Sequence, residues 1–167
     1  LTLSGGDPLH PQNISEVTSL AKEIKKKFPQ KTIWLYTGFV FEDIQDLEVW
    51  QNERILCKDI YVVTREDKFQ KDYRFVSQIT ASAGSIMDNI AEGFERDGNK
   101  EFLQFLSIAK GSCGELRSQI YRAYDFGYVD EQSYIALLES VKKLSGGIYF
   151  FMQFLKNAEF KGIKYKS

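Results

Sequence analysis

The sequence is poor in the residues that most often announce chemistry. It has one histidine and two cysteines in 167 residues. Cys57 and Cys113 lie far apart, each within an apolar helical pattern, and neither belongs to a CxxC pair. That excludes a zinc or iron–sulfur spacing built from this chain alone and predicts two buried, reduced thiols. Net charge is only −1, so the overall electrostatics do not mark a nucleic-acid binder, and such a role needs a local basic face. No run of eighteen apolar residues and no signal-peptide pattern occurs, which predicts a cytoplasmic protein without a membrane partner. The three prolines, Pro8, Pro11 and Pro29, all fall in the first thirty residues. Proline is excluded from helix interiors, so the long proline-free remainder predicts a helical body behind a loop-containing leader.

What is present is core material: 43% hydrophobic and 14% aromatic residues, enough for one ordinary domain or a small domain with an appendage. Residues 1–3 read as the end of a strand and 4–12 as a loop. Asn13 starts a helix, with Glu16 as capping-box partner and Ile14, Val17, Leu20, Ala21, Ile24 and Phe28 at helical spacing. Pro29 stops it, and "TIWLY" at 32–36 reads as a buried strand, which completes a βαβ-like fragment too small to bury its own faces.

From Asp46 the texture changes. Four helices are predicted, over about 47–64, 72–94, 99–126 and 131–158, with Asp46 and Asp130 as caps and Gly127 as a left-handed C′ residue. On the first, Leu47, Trp50, Cys57 and Tyr61 form one stripe, and Val49, Leu56, Ile60 and Val63 adjoin it. Phe75, Ile79, Ala83, Ile86 and Ile90 form the second seam. Phe102, Phe105, Leu106, Ala109, Cys113, Leu116, Ile120 and Ala123 form the third. Tyr134, Leu137, Val141, Leu144, Ile148, Phe151 and Leu155 form the fourth. The polar run "REDKFQKDY" reads as a connection. Four long amphipathic helices with short connections predict a mainly α fold: an antiparallel up-down four-helix bundle over 45–167, behind the βαβ-like fragment of 1–44. Gly84, Gly93, Gly111, Gly114, Gly146 and Gly147 within the helices read as positions of close backbone approach.

Two stretches resemble known families. "LSGGDPL" resembles the glycine-rich motif of radical S-adenosylmethionine enzymes. With "WLYTG", residues 1–44 look like an internal piece of the activating enzyme of anaerobic ribonucleotide reductase. That resemblance implies that Ser4, Gly5, Gly6 and Asp7 stand beside the amino group of the cofactor. The same chemistry needs a CxxxCxxC loop for its iron–sulfur cluster. In the family that loop precedes the glycine motif, and Cys57 and Cys113 cannot form it. The expectation is therefore a vestigial turn, no catalytic residue, no metal and no bound cofactor.

The second stretch carries "SQITASAGSIMDNIAEGFER" and "NKEFLQFLSIAKGSCGELRSQIY". It resembles the four-helix-bundle family of 23S rRNA intervening-sequence proteins, which the accessory proteins of diversity-generating retroelements also resemble. The resemblance implies a homo-oligomeric ring, commonly a pentamer, with an RNA, DNA or reverse-transcriptase partner. Asn89 and Glu92 read as a register-fixing polar network. Arg65, Lys68, Lys71 and Arg74 cluster in the first connection, Arg96 and Lys100 flank the next turn, and Lys110, Arg117 and Arg122 lie along the third helix. Gathered on one face, such charges bind phosphate. The reading is a non-enzymatic oligomeric scaffold for structured RNA or a nucleic-acid enzyme. The alternative is a truncated radical activating-enzyme fragment whose cluster comes from sequence outside this chain.

Overall fold

A computed structural model describes residues 14–30, 43–96 and 98–157. The chain divides into two compact units, Leu1–Val40 and Phe41–Ser167. In the first unit the described element is helix α1, Ile14–Lys27, close to the predicted limits. The two predicted strands and the glycine turn Ser4–Asp7 lie outside the described residues.

The second unit is helical throughout its described residues. A short 3-10 turn, Ile44–Asp46, leads into α2 (Glu48–Val63), then a one-turn helix α3 (Asp67–Gln70), α4 (Tyr73–Glu95), α5 (Asn99–Asp125) and α6 (Glu131–Asn157). Helix α2 packs on α4 and α6, α4 on α5, and α5 on α6, so each long helix buries one stripe against two neighbours. The seams predicted for the last three long helices are the ones buried, apart from half-buried Phe105 and Tyr134.

In α2 the predicted stripe is corrected by one step around the helix. Val49, Glu53, Leu56 and Ile60 point inward, whereas Tyr61 is 54% exposed. Two apolar stripes compete on this helix, and a sequence period alone does not say which meets the neighbours. Asp46 is likewise not the cap of α2. It ends the 3-10 turn, and its carboxylate accepts from the Asp43 amide at 3.1 Å, while Leu47 starts α2 without a side-chain cap.

Two glycines carry geometry. Gly127 has φ +68° and closes α5 in a Schellman arrangement. Its amide donates to Tyr124 O, and the Tyr128 amide donates to Ala123 O, both at 2.9 Å. At Gly93 an added Cβ would lie 2.7 Å from Phe102 Cδ2 and from Phe105 Cβ, so α4 and α5 approach there only because a side chain is missing. The same expectation fails at Gly84, Gly111, Gly114 and Gly146, where an added Cβ would meet open space.

Candidate functional site

The connection that reads as merely polar has an anchor. Phe69, on α3, is fully buried. It stacks on Tyr128 at 4.9 Å and tilts against Phe75 at 5.3 Å between ring centroids. Phe126 closes the group, edge-on to Phe75 and to Tyr128. The Tyr128 hydroxyl donates to Asp72 Oδ2 at 3.1 Å, and Asp72 in turn caps α4 by accepting from the Phe75 amide. This aromatic knot holds the α3 turn at one end of the helical unit and fixes the backbone that carries Lys68, Lys71 and Arg74, all exposed.

Arg122 reaches the same end. Its guanidinium lies 4.5 Å from the Phe75 ring centre and donates to Gln78 Oε1 at 2.7 Å. The knot thus gathers Lys68, Lys71, Arg74 and Arg122. Arg65 hydrogen-bonds the Tyr61 hydroxyl and lies over that ring at 4.5 Å, so part of its donor set is occupied.

The other basic candidates are elsewhere. Arg96 pairs with Glu92 at 2.6 Å and with Glu101 at 3.5 Å, and lies over the Phe105 ring. Arg96 and Lys100 sit at the far end of α4, whose 23 residues span about 34 Å. Lys110 is half-buried and Arg117 exposed along α5. A single face carrying all nine cations is therefore not what the helices build: helix length separates two groups, and Glu92 and Glu101 occupy one member of the far group.

Asn89 and Glu92 do not share a site. The Asn89 amide donates to Ser85 O at 2.7 Å and to Ser85 Oγ at 3.2 Å. Ser85 meets Ser112 at 3.0 Å, and one turn away Gln119 donates to Ser82 Oγ at 2.9 Å. This hydroxyl and amide seam joins α4 to α5 and sets their register, because a one-turn slip would strand each buried polar group.

Glu53 is a residue that the sequence patterns do not single out for function. It is 0% exposed, neither carboxyl oxygen has a hydrogen-bond partner, and buried Trp50 Nε1 one turn earlier also lacks one. Burial pushes its carboxyl up to about 9, and the Cys57 thiol on the next turn, a weak donor too poorly placed to count as a normal hydrogen bond, acts in the opposite direction. Burial, with Glu53 nearby, also pushes Cys57 up to about 11 and Cys113 up to about 12. The available signal is the spacing 49, 53, 56, 60, which sets an acid in an apolar row.

These donors do not fit an iron–sulfur cluster. Three thiolates on a short loop are needed. The chain has two cysteines, on different helices, and both thiols hold their protons far above neutral pH. Among the described residues no group of three or more histidine, cysteine or acidic side chains could hold a metal ion. No helix there is long and apolar enough to cross a membrane.

A helical protein whose long helices pack side by side around a polar seam is the class that fold and site define. The chain belongs to the family described as 23S rRNA-intervening sequence protein, whose sequence model matches residues 45–149. A crystal structure of a protein of unknown function from the S23 ribosomal protein family of Bacteroides thetaiotaomicron shares the fold. The TM-score is 0.58 at 17% identity, over 63% of this chain and 98% of that one.

The leading part matches something else. Residues 1–85 match the model of a 4Fe-4S single cluster domain. The anaerobic ribonucleoside-triphosphate reductase-activating protein of phage T4 is 57% identical over 49 residues, covering 29% of this chain and 31% of that protein. The protein of the same name from Escherichia coli K12 is 33% identical over 79 residues, 47% of each chain. The chain thus spans less than half the length of these relatives.

These matches correct the expectation of a chain with no enzymatic role. A shortage of cysteine does not exclude catalytic chemistry for the whole chain. Relatives named for activating a reductase, together with the 4Fe-4S match, overturn that inference. The physical reason is that a glycine turn can serve a cofactor without itself supplying the cluster ligands.

Proposed function

We propose that the chain couples part of a radical-chemistry activating protein, residues 1–44, to a binding scaffold, residues 45–167. In the first part Ser4, Gly5, Gly6 and Asp7 receive the amino group of S-adenosylmethionine, the role that the resemblance implies for the glycine-rich motif. Cysteines other than Cys57 and Cys113 supply any cluster. The observation that supports this most directly is the 57% identity to the phage T4 activating protein over 49 residues. Equilibrium dialysis with labelled S-adenosylmethionine tests it. Binding is expected for the chain and is lost in a Gly5→Val, Gly6→Val variant. Absence of binding at millimolar cofactor removes this part of the reading.

The second part is an antiparallel up-down four-helix bundle, assembled as a cytoplasmic ring of copies, five by the family resemblance. It holds nucleic acid at the end carrying Lys68, Lys71, Arg74 and Arg122. The supporting observation is the aromatic knot, which fixes the backbone of exposed Lys68 and Lys71 at α3 and of Arg74 in the first turn of α4, and draws in a fourth cation from α5. One copy offers few charges, and a ring multiplies them on one long ligand. Fluorescence anisotropy with structured RNA at two salt concentrations is the test. A Lys68→Gln, Lys71→Gln, Arg74→Gln variant should lower the salt slope by about one for each phosphate that it no longer neutralises. Equal binding by both proteins leaves those cations as solvated surface.

A further inference from the structure

We propose that Glu53 is a proton-linked latch: helix α2 seats on α4 and α6 while the Glu53 side chain is a neutral acid, and disengages from them when it ionises. The carboxyl lies in the interior at 0% exposure; apart from the weakly donating Cys57 thiol neither oxygen has a hydrogen-bond partner, and Trp50 Nε1 on the adjoining stripe is also unpartnered. A buried group in that condition tolerates the neutral form and resists the charged one.

Nothing packed around it supplies a compensating cation. From α4 the buried residues are apolar, small or hydroxyl-bearing, and the titratable group that bears on the neighbouring Cys57 thiol is exposed Asp88, an acid and not a cation. From α5 the buried titratable group is Cys113, and the α5 cations beside that thiol, half-buried Lys110 and exposed Arg117, act on it and not on Glu53. From α6 the buried face holds Leu137, Val141, Leu144, Ile148 and other apolar residues. The preceding 3-10 turn and its cap bring exposed acids, Asp46 and Asp43, and no basic residue. On α2 itself Arg54 and Lys58 are exposed, and Arg54 lies near the outer Trp50 ring.

Helix α2 is also the shortest of the four long helices and has the smallest buried face. It has 16 residues and four buried ones, Glu53 included, against eight on α4, nine on α5 and eight on α6. Its first residue follows an uncapped Leu47. Among the described residues no side-chain hydrogen bond joins it to α4, α5 or α6, whereas the serine and glutamine seam locks α4 to α5. Ile55 and Val62 on its outer side are 59% and 62% exposed. Charge placed inside α2 therefore breaks the weakest interface first.

The sign follows from proton linkage. The seated carboxyl holds its proton up to about 9, against an ordinary value of 4.5, whereas the released one ionises at that ordinary value. The contribution to seating is complete below the ordinary value and declines as pH rises towards about 9, with the opening constant growing about tenfold per pH unit between them.

Hydrogen exchange on the whole chain, corrected for intrinsic rates, reads this directly. Amides of Glu48–Val63 should lose about tenfold protection per pH unit from pH 5 to 9, while α5 stays flat. In a Trp34→Phe background, which leaves Trp50 as the single tryptophan, emission should move to the red over the same range. Glu53→Gln should abolish both slopes, and Glu53→Leu answers the same question if the glutamine variant does not fold. Equal slopes in wild type and variants would overturn the proposal. So would loss of protection in α5 and α6 in step with α2, which would make the carboxyl a load on the whole unit instead of a latch on one helix.

Discussion

At the scale of single residues, the two thiols and one glycine make sharp expectations. Burial pushes Cys57 up to about 11 and Cys113 up to about 12, and only the thiolate reacts with disulfide reagents. At pH 8 both should label at least about a hundredfold more slowly in the native protein than in urea, with Cys113 the slower. Stopped-flow labelling checks this, and native rates equal to the denatured ones would refute the protection of the two thiols by burial. At Gly93 the added methyl of Gly93→Ala meets two phenylalanine side chains at 2.7 Å. Overpacking of that kind costs about 1–3 kcal/mol, read as a lower urea midpoint. Gly111→Ala, in open space, should instead raise stability by a few tenths up to about 1 kcal/mol through helix propensity.

At the scale of elements, α3 shows how one buried ring converts a polar connection into structure. The stretch from Arg65 to Asp72 contains Phe69 among charged and amide side chains, and that ring meets Tyr128 and Phe75. Phe69→Ala should cost about 3–5 kcal/mol, the usual range for an emptied aromatic site, measured by chemical denaturation. Because the knot also positions the α3 cations, the same variant should weaken RNA binding without removing a charge. A variant that unfolds partially but binds RNA unchanged would separate the knot from the interface. Gly127→Ala, which forces a Cβ into φ +68°, should destabilise the α5–α6 turn by about 1 kcal/mol.

At the scale of the whole molecule, two compact units predict that residues 41–167 keep a cooperative thermal melt and their helical circular dichroism after removal of the first unit. Loss of the melt would mean that the first unit completes the core of the second. Self-association is expected too, from the aromatic residues that the packing leaves outside the core. Phe94, Phe102, Leu106 and Phe151 are core, whereas Phe126, Tyr149 and Phe150 are 59%, 47% and 49% exposed. With Ile55 and Val62 they leave more apolar surface than a monomer usually shows. Light scattering at micromolar concentration should give a multiple of 19.3 kDa, and the monomer mass would refute the ring.

The sequence by itself determined where the long helices run and which faces of α4, α5 and α6 turn inward, because a period of 3.6 with flanking Asp130 and Gly127 leaves little freedom. Local chemistry is written in neighbouring residues, and so are the two family matches carried by contiguous words of sequence. Only the tertiary structure decided what depends on pairs far apart in the chain. It chose the inward stripe of α2, joined Arg122 to Phe75, and showed that Gly93, unlike Gly84, Gly111, Gly114 and Gly146, has facing side chains where an added Cβ would stand. It also buried Glu53 without a partner. Burial belongs to the packed interface between helices, and a helix read alone carries no record of what its neighbours will cover.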